Sequence, residues 1–313
     1  MPKVVLASVG LLLGLGVAFA APGDPDLKIA NEAIEVGISK DFGGAVTWLA
    51  VAGSARNLIN NHDKGRQVQQ SYYAGQGFDR TAEGQSKTWT PWPWNPVQAG
   101  DAYGNKSTVL EAKLEDNTIY TKVQPLLWDM NNEISESHYE TWVSLEGNTV
   151  RVKNKLTCFR TDNRWEVKPR DQELPAVYTI GALSTLYTYD GDAPWTGAAL
   201  KVIEPKPFPG YPWPTWTGQE KWAANVNADK WGVGVYTPMA ERFCGGFHGT
   251  PPGETADACT GYISPLKTVT LEKDSVFEYE YYLIVGTLDE IRAFVYAKEG
   301  KSLPEPPKEN TTP

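Results

Sequence analysis

The sequence predicts an all-β chain: a single large antiparallel β-sandwich with one short helix near its C-terminus. Three observations predict it. Apolar residues recur with a period of two at Ile34, Val36 and Ile38, at Val150 and Val152 around Arg151, and at Phe277, Tyr279, Tyr281 and Leu283 around Glu278 and Glu280, the pattern of half-buried antiparallel strands. Proline and glycine punctuate the chain, and no amphipathic helical pattern of three or more turns precedes residue 287. Between residues 27 and 300 there is neither an internal repeat nor a linker-like shift in composition, which argues against a propeller or a two-domain chain.

In chain order, Met1 to Ala20 carries a basic start at Lys3, an apolar run from Val4 to Phe19 and a small-residue ending, Ala18-Phe19-Ala20. That is the pattern of a secretory signal peptide cleaved before Ala21, so an extracellular or periplasmic protein is expected. Residues 21–302 are assigned to the sandwich. Within them, Thr287 and Glu290 form a capping box ahead of Ile291, Phe294 and Val295, and Gly300 stands just past the close of that helix. Leu303 to Pro313 is rich in proline and polar residues and is expected to be a disordered tail.

Export permits disulfides. Cys244 and Cys259 bracket a Gly/Pro-rich loop and are predicted to pair, which for a loop of that size contributes about 3 kcal/mol on the chain-entropy model. Cys158 is expected to be a buried small hydrophobe. The net charge of −9 argues against nucleic acid and anionic membranes as partners. No later segment approaches a membrane span, and a monomer is expected. No cofactor is expected either: Gly232-Val233-Gly234-Val235 has no helix after it, and nothing has the spacing of a zinc or other metal site or of a Ser-His-Asp elbow.

The densest polar run is Asn60-Asn61-His62-Asp63-Lys64-Gly65-Arg66-Gln67-Val68-Gln69-Gln70-Ser71-Tyr72-Tyr73. Strand alternation puts Gln67, Gln69 and Ser71 on one face and Arg66, Val68, Gln70 and Tyr72 on the other. A second signal is tryptophan: of the 12 in the chain, Trp89, Trp92, Trp94, Trp195, Trp213 and Trp216 fall in two irregular stretches, Gln76 to Asp101 and Asp190 to Gln219. Loop tryptophans stiffened by Pro91, Pro93, Pro212 and Pro214 suit stacking platforms, and polar forks beside flat aromatic faces suit sugars.

The opening Ile38-Ser39-Lys40-Asp41-Phe42-Gly43-Gly44-Ala45-Val46-Thr47-Trp48-Leu49, followed by Arg56-Asn57-Leu58-Ile59-Asn60, resembles the first strands of the galactose-mutarotase-like supersandwich superfamily. The long strand and short helix of Val276 to Ala297 are compatible with it. The resemblance implies a supersandwich and carbohydrate handling. It does not fix the reaction, since the chain has only His62, His138 and His248, none in the context of the epimerase histidines.

The expected function is cleavage of an extracellular polysaccharide or oligosaccharide. The first mechanism is glycoside hydrolysis by a carboxylate pair drawn from Glu136, Glu140, Glu173 and Glu220, because a carboxyl beside apolar walls gains the raised pKa of a general acid. The alternative enzyme is a lyase acting by β-elimination, with His62 and Tyr72 or Tyr73 moving protons while Arg66 and Asn61 neutralise a uronate. The alternative of another class is a non-catalytic glycan-binding protein. Asn61, Asp63, Gln69, Tyr73, Trp92, Trp94, Trp213 and Trp216 are the expected substrate-binding residues.

Overall fold

The computed structural model describes residues 23–161, 163–204 and 213–303. The expected signal peptide, the tail beyond Leu303 and Pro212 lie outside the described residues.

The described chain forms two large antiparallel sheets. The first runs in the order Leu27–Ala30, Ile34–Ser39, Ala45–Val51, Val68–Ser71, Pro169–Ile180, Thr260–Thr270, Arg242–His248 and Thr215–Trp216, with Pro96–Val97 paired beside Val68–Ser71. The second runs in the order Lys201–Val202, Thr185–Thr188, Trp222–Val226, Trp231–Tyr236, Val276–Thr287, Thr149–Cys158, Ser137–Glu146, Thr118–Gln124 and Thr108–Glu115. Both sheets feed one apolar layer. Val36, Leu49, Val68, Val177 and Ile263 of the first pack in the same cluster as Val143, Val152, Val233 and Leu283 of the second, each such side chain contributing roughly 1.5–3 kcal/mol on leaving water. The fold is the sandwich that the period-two patterning predicts.

The helix Leu288–Lys298 starts at the predicted capping box, with the Thr287 side chain accepting from the Glu290 backbone and the Glu290 side chain accepting from that of Thr287. Its buried face, Ile291, Val295 and Tyr296, lies against Trp222, Ala224, Tyr282 and Ile284. The outer face of the second sheet is therefore covered here. No helix among the described residues is long and apolar enough to cross a membrane.

Cys244 and Cys259 do not form the predicted bridge. Cys244 stands opposite Ser264, and His248 opposite Thr260, so Cys259 lies near Gly249 at the far end of the same strand pair. Five residues of strand separate the two positions, roughly 17 Å, and a disulfide needs Cα atoms within about 7 Å. Cys158 is buried in the core layer, as expected.

Candidate active site: a tyrosine-ringed carboxyl in an aromatic cleft

The outer face of the first sheet carries a cleft, and strand parity decides what enters it. In Val68–Ser71, Val68 packs in the core and Gln70 reaches the second sheet, donating to the Thr141 hydroxyl at 2.8 Å. Gln69 and Ser71 point the other way and line the cleft with Tyr73. Tyr72 therefore turns inward. It is fully buried against Tyr139, Phe277 and Tyr279, its hydroxyl donates to Gln70 at 2.8 Å, and burial pushes its pKa well above that of a free tyrosine. It is a core residue and not a proton carrier.

The neighbouring strand Pro169–Ile180 contributes Glu173. One extra residue sits in this strand: Glu173 faces Ser71 and Ala176 faces Gln69, and against the other neighbour Glu173 faces Leu266 while Val177 faces Ile263. A bulge of this kind re-aims side chains. Glu173, Ala176 and Tyr178 all come to the cleft side, while Leu174 and Val177 stay in the core.

The Glu173 carboxyl is ringed by hydroxyls. Tyr262 donates to Oε1, Tyr73 donates to Oε2 at 3.5 Å, and Ser71 donates as well. The residue as a whole is partly accessible on the cleft floor, but protein packs densely around the carboxyl. Desolvation is the largest influence and raises its pKa, and the three hydroxyls only partly offset it. Tyr73 is itself clamped by Gln172, which accepts from its backbone N–H and donates to its carbonyl, both at 2.8 Å.

Two aromatic walls flank this carboxyl. On one side Tyr73, Trp92, Trp89 and Trp128 follow in edge-to-face contact, with centroids 6.3, 5.0 and 5.6 Å apart. Asn95 fixes Trp92 by accepting from its indole at 3.1 Å. On the other side Tyr178 stacks on Tyr262 at 4.6 Å, and Trp213 leans on Tyr262 at 5.0 Å. Between the walls lies a cavity of about 130 Å³. It joins, through Tyr73, Glu173 and Tyr262, a second cavity of about 520 Å³ lined by Arg170, Asp171, Thr215, Arg242 and Thr268. There Asp171 accepts from Arg242 and, at 2.8 Å, from the Thr268 hydroxyl.

The other carboxylates expected to pair with Glu173 are elsewhere. Glu220 is fully buried beneath the helix, where Arg292 (2.8 and 3.0 Å), the Tyr296 hydroxyl (2.6 Å), the Trp222 indole (3.1 Å) and the Trp195 backbone (3.0 Å) all donate to it. Burial opposes its ionisation, yet those donors win and its pKa is lowered. It is a structural ion pair. Glu140 lies on the outer face of the second sheet and accepts from Tyr120 at 2.8 Å, while Glu136 accepts from the backbone and hydroxyl of Thr161. Neither lines the cleft around Glu173.

The polar run that opens at Asn60 is largely a strap tied to residues 254–259. Asn61 donates to the Thr47 carbonyl and the Thr255 hydroxyl, a ring nitrogen of His62 meets the Ala256 carbonyl at 2.9 Å, and Arg66 donates to the Ala258 carbonyl at 2.7 Å. The Gln69 amide lines the cleft but donates to the carbonyls of Lys64 and Arg66 and accepts from Ala99. Asn61, Arg66 and Gln69 thus hold backbone. His62 and Asp63 border a third cavity of about 590 Å³, which shares Trp89 and Trp128 with the central one.

Of the four tryptophans expected to bind substrate, two are core residues. Trp94 is buried with the Arg160 guanidinium 4.6 Å over its ring, and Trp216 is buried in the core layer, stacked on Phe243 at 5.7 Å. Trp92 and Trp213 reach the cleft. The sequence reasoning missed Tyr262, Asp171 and Trp128 as cleft residues. Gly65 was a signal for the last: a Cβ there meets the Trp128 ring at 2.7 Å, so only glycine lets the indole lie against the loop.

No protein-family model and no curated protein matches the sequence. Among solved structures, the chain is similar to a galactose mutarotase related enzyme from Lactobacillus acidophilus, at 12% identity and a TM-score of 0.49 over 83% of this chain and 96% of that one. It is also similar to an alpha-N-acetylgalactosaminidase from Bifidobacterium bifidum (10%, TM-score 0.45) and to a polysaccharide lyase (11%, TM-score 0.44). Each of those two matches covers 87% of this chain but little more than a third of the longer protein, 38% and 35% respectively.

Proposed function

We propose that the protein is a glycan-cleaving enzyme in which Glu173 is the proton donor to the glycosidic oxygen. The supporting observation is the position of this carboxyl: it lies where two cavities meet, between two aromatic walls, with its pKa raised by burial. A sugar ring stacked between the walls brings a glycosidic oxygen over a carboxyl that retains its proton to higher pH than a surface glutamate.

The partner carboxylate in this reading is Asp171, which lines the second cavity with Glu173. It replaces Glu220 in the expected pair. The two residues stand two apart on one strand face and line the same cavity, where a water can be held beside Asp171. Asp171 then activates the attacking water. Secretion belongs to this proposal and is supported by the pattern of Met1 to Ala20. The test is digestion of a glycan panel by the wild type, Glu173→Gln and Asp171→Asn: both variants lose several powers of ten in rate while still binding the glycan.

A second reading, β-elimination, is favoured by one observation: the Tyr73 and Tyr262 hydroxyls both reach the Glu173 carboxyl, and Arg170 and Arg242 line the adjoining cavity, where a uronate carboxylate would find cations. Elimination leaves an unsaturated, ultraviolet-absorbing end on each product. Hydrolysis does not.

A further inference from the structure

The cavities beside Glu173 form a series. The one lined by Arg170, Asp171 and Thr215 shares Tyr73, Glu173 and Tyr262 with the central aromatic slot. The slot shares Trp89 and Trp128 with the one lined by His62, Lys64, Asp101 and Tyr103. Along the strand that carries Glu173, the lining runs from Pro169 to Tyr178, about 25–30 Å at the rise of an extended strand. A site for one sugar ring needs far less. Glu173 lies near the middle of that run, with an open cavity to either side, whereas a site that trims chain ends is closed on one side of its catalytic group.

We propose that the cleft is a multi-site groove that takes an internal stretch of a sugar chain, with sugar units bound on both sides of Glu173. The aromatic slot grips the unit beside the reacting bond, the Arg170 cavity takes units on one side, and the Tyr103 cavity takes units beyond the tryptophan wall. This inference rests on the glycan reading of the same cleft. It adds that the substrate is a polymer cut within its length.

The test uses the full chain carrying Glu173→Gln and follows intrinsic tryptophan fluorescence during titration with ladders from monosaccharide to octasaccharide. The ladders are a 1,4-linked glucan, a mannan, a xylan and a 1,4-linked oligouronate. In whichever series binds, Kd is expected to fall by about tenfold or more from monosaccharide to tetrasaccharide, as added units gain contacts of a stacking contact's magnitude. Adding Tyr103→Ala or Arg170→Ala weakens hexasaccharide binding about tenfold and leaves disaccharide binding unchanged. Both positions are on the surface, so loss of fold is readily excluded by the melting curve. Affinity that is flat with chain length, or equal losses for short and long ligands, overturns the groove and leaves the Glu173 chemistry standing. Binding to none of the four series overturns both.

Discussion

The Tyr262 hydroxyl donates to the Glu173 carboxyl from the adjacent strand, where Tyr262 itself is held between the Tyr178 ring and Trp213. This bond favours the carboxylate and works against the desolvation that raises the Glu173 pKa. Removing it with Tyr262→Phe raises that pKa further. If Glu173 is the acid, activity falls as pH rises through its pKa, so the basic limb of the pH–rate profile moves to higher pH in the variant. A shift to lower pH, or none, contradicts the assignment.

The same carboxyl carries a stability signature. Its pKa is higher in the folded state than the ordinary glutamate value of 4.5, so the folded state binds the extra proton and stability declines as pH rises through that window. Glu173→Gln removes the ionisable group. Its melting temperature is expected to exceed that of the wild type at neutral pH, and the advantage to vanish in acid. Equal melting temperatures at neutral pH would show that burial of the carboxyl is not costly.

Glu220 behaves in the opposite way. Its folded-state pKa is lowered, so the stability it contributes is present above the ordinary glutamate pKa and is lost as pH falls through the lowered value. Removing one partner of a buried pair costs about 3–5 kcal/mol. Arg292→Ala is thus expected to lower the denaturant midpoint sharply, and glycan binding by the folded fraction to stay the same. A loss of binding at full stability would return Glu220 to the list of functional residues.

The tryptophans divide by the same logic. Trp213→Ala or Trp92→Ala should weaken glycan binding by about 1–3 kcal/mol, by analogy with base-stacking platforms, with a nearly unchanged melting curve. Trp94→Ala or Trp216→Ala should cost about 3–5 kcal/mol of stability. Gly65→Ala drives a methyl into the Trp128 ring and is expected to act like a platform mutation, read as weaker binding with the fold retained.

Alternation was enough to predict the sandwich, and the Thr287 and Glu290 spacing was enough to place the helix start, because both signals are local. Glu173, Tyr73, Trp92 and Trp213 were visible as residue types but not as one cleft. Pro175 marks the bulge after Glu173, since proline inside a strand is confined to edges and bulges, but which residues of that strand then face out is decided by the pairing. Tyr72 and Tyr73 differ only in parity, and the polar density of the run left both open until the pairing turned Tyr72 into the core. Glu220 is an acid at the edge of an apolar run in sequence; what neutralises it, Arg292, lies on the helix that ends the described chain. Cys244 and Cys259 bracket a loop, but the hairpin register that keeps them apart is a property of pairing, not of spacing.

The most direct test is to digest a glycan panel with the wild type and with Glu173→Gln and to read the products by mass spectrometry. The account predicts that the wild type shortens at least one glycan into products that have each gained the elements of water, and that Glu173→Gln binds the same glycan but cuts it slower by several powers of ten. Undiminished cutting by Glu173→Gln, or unsaturated products from the wild type, contradicts it.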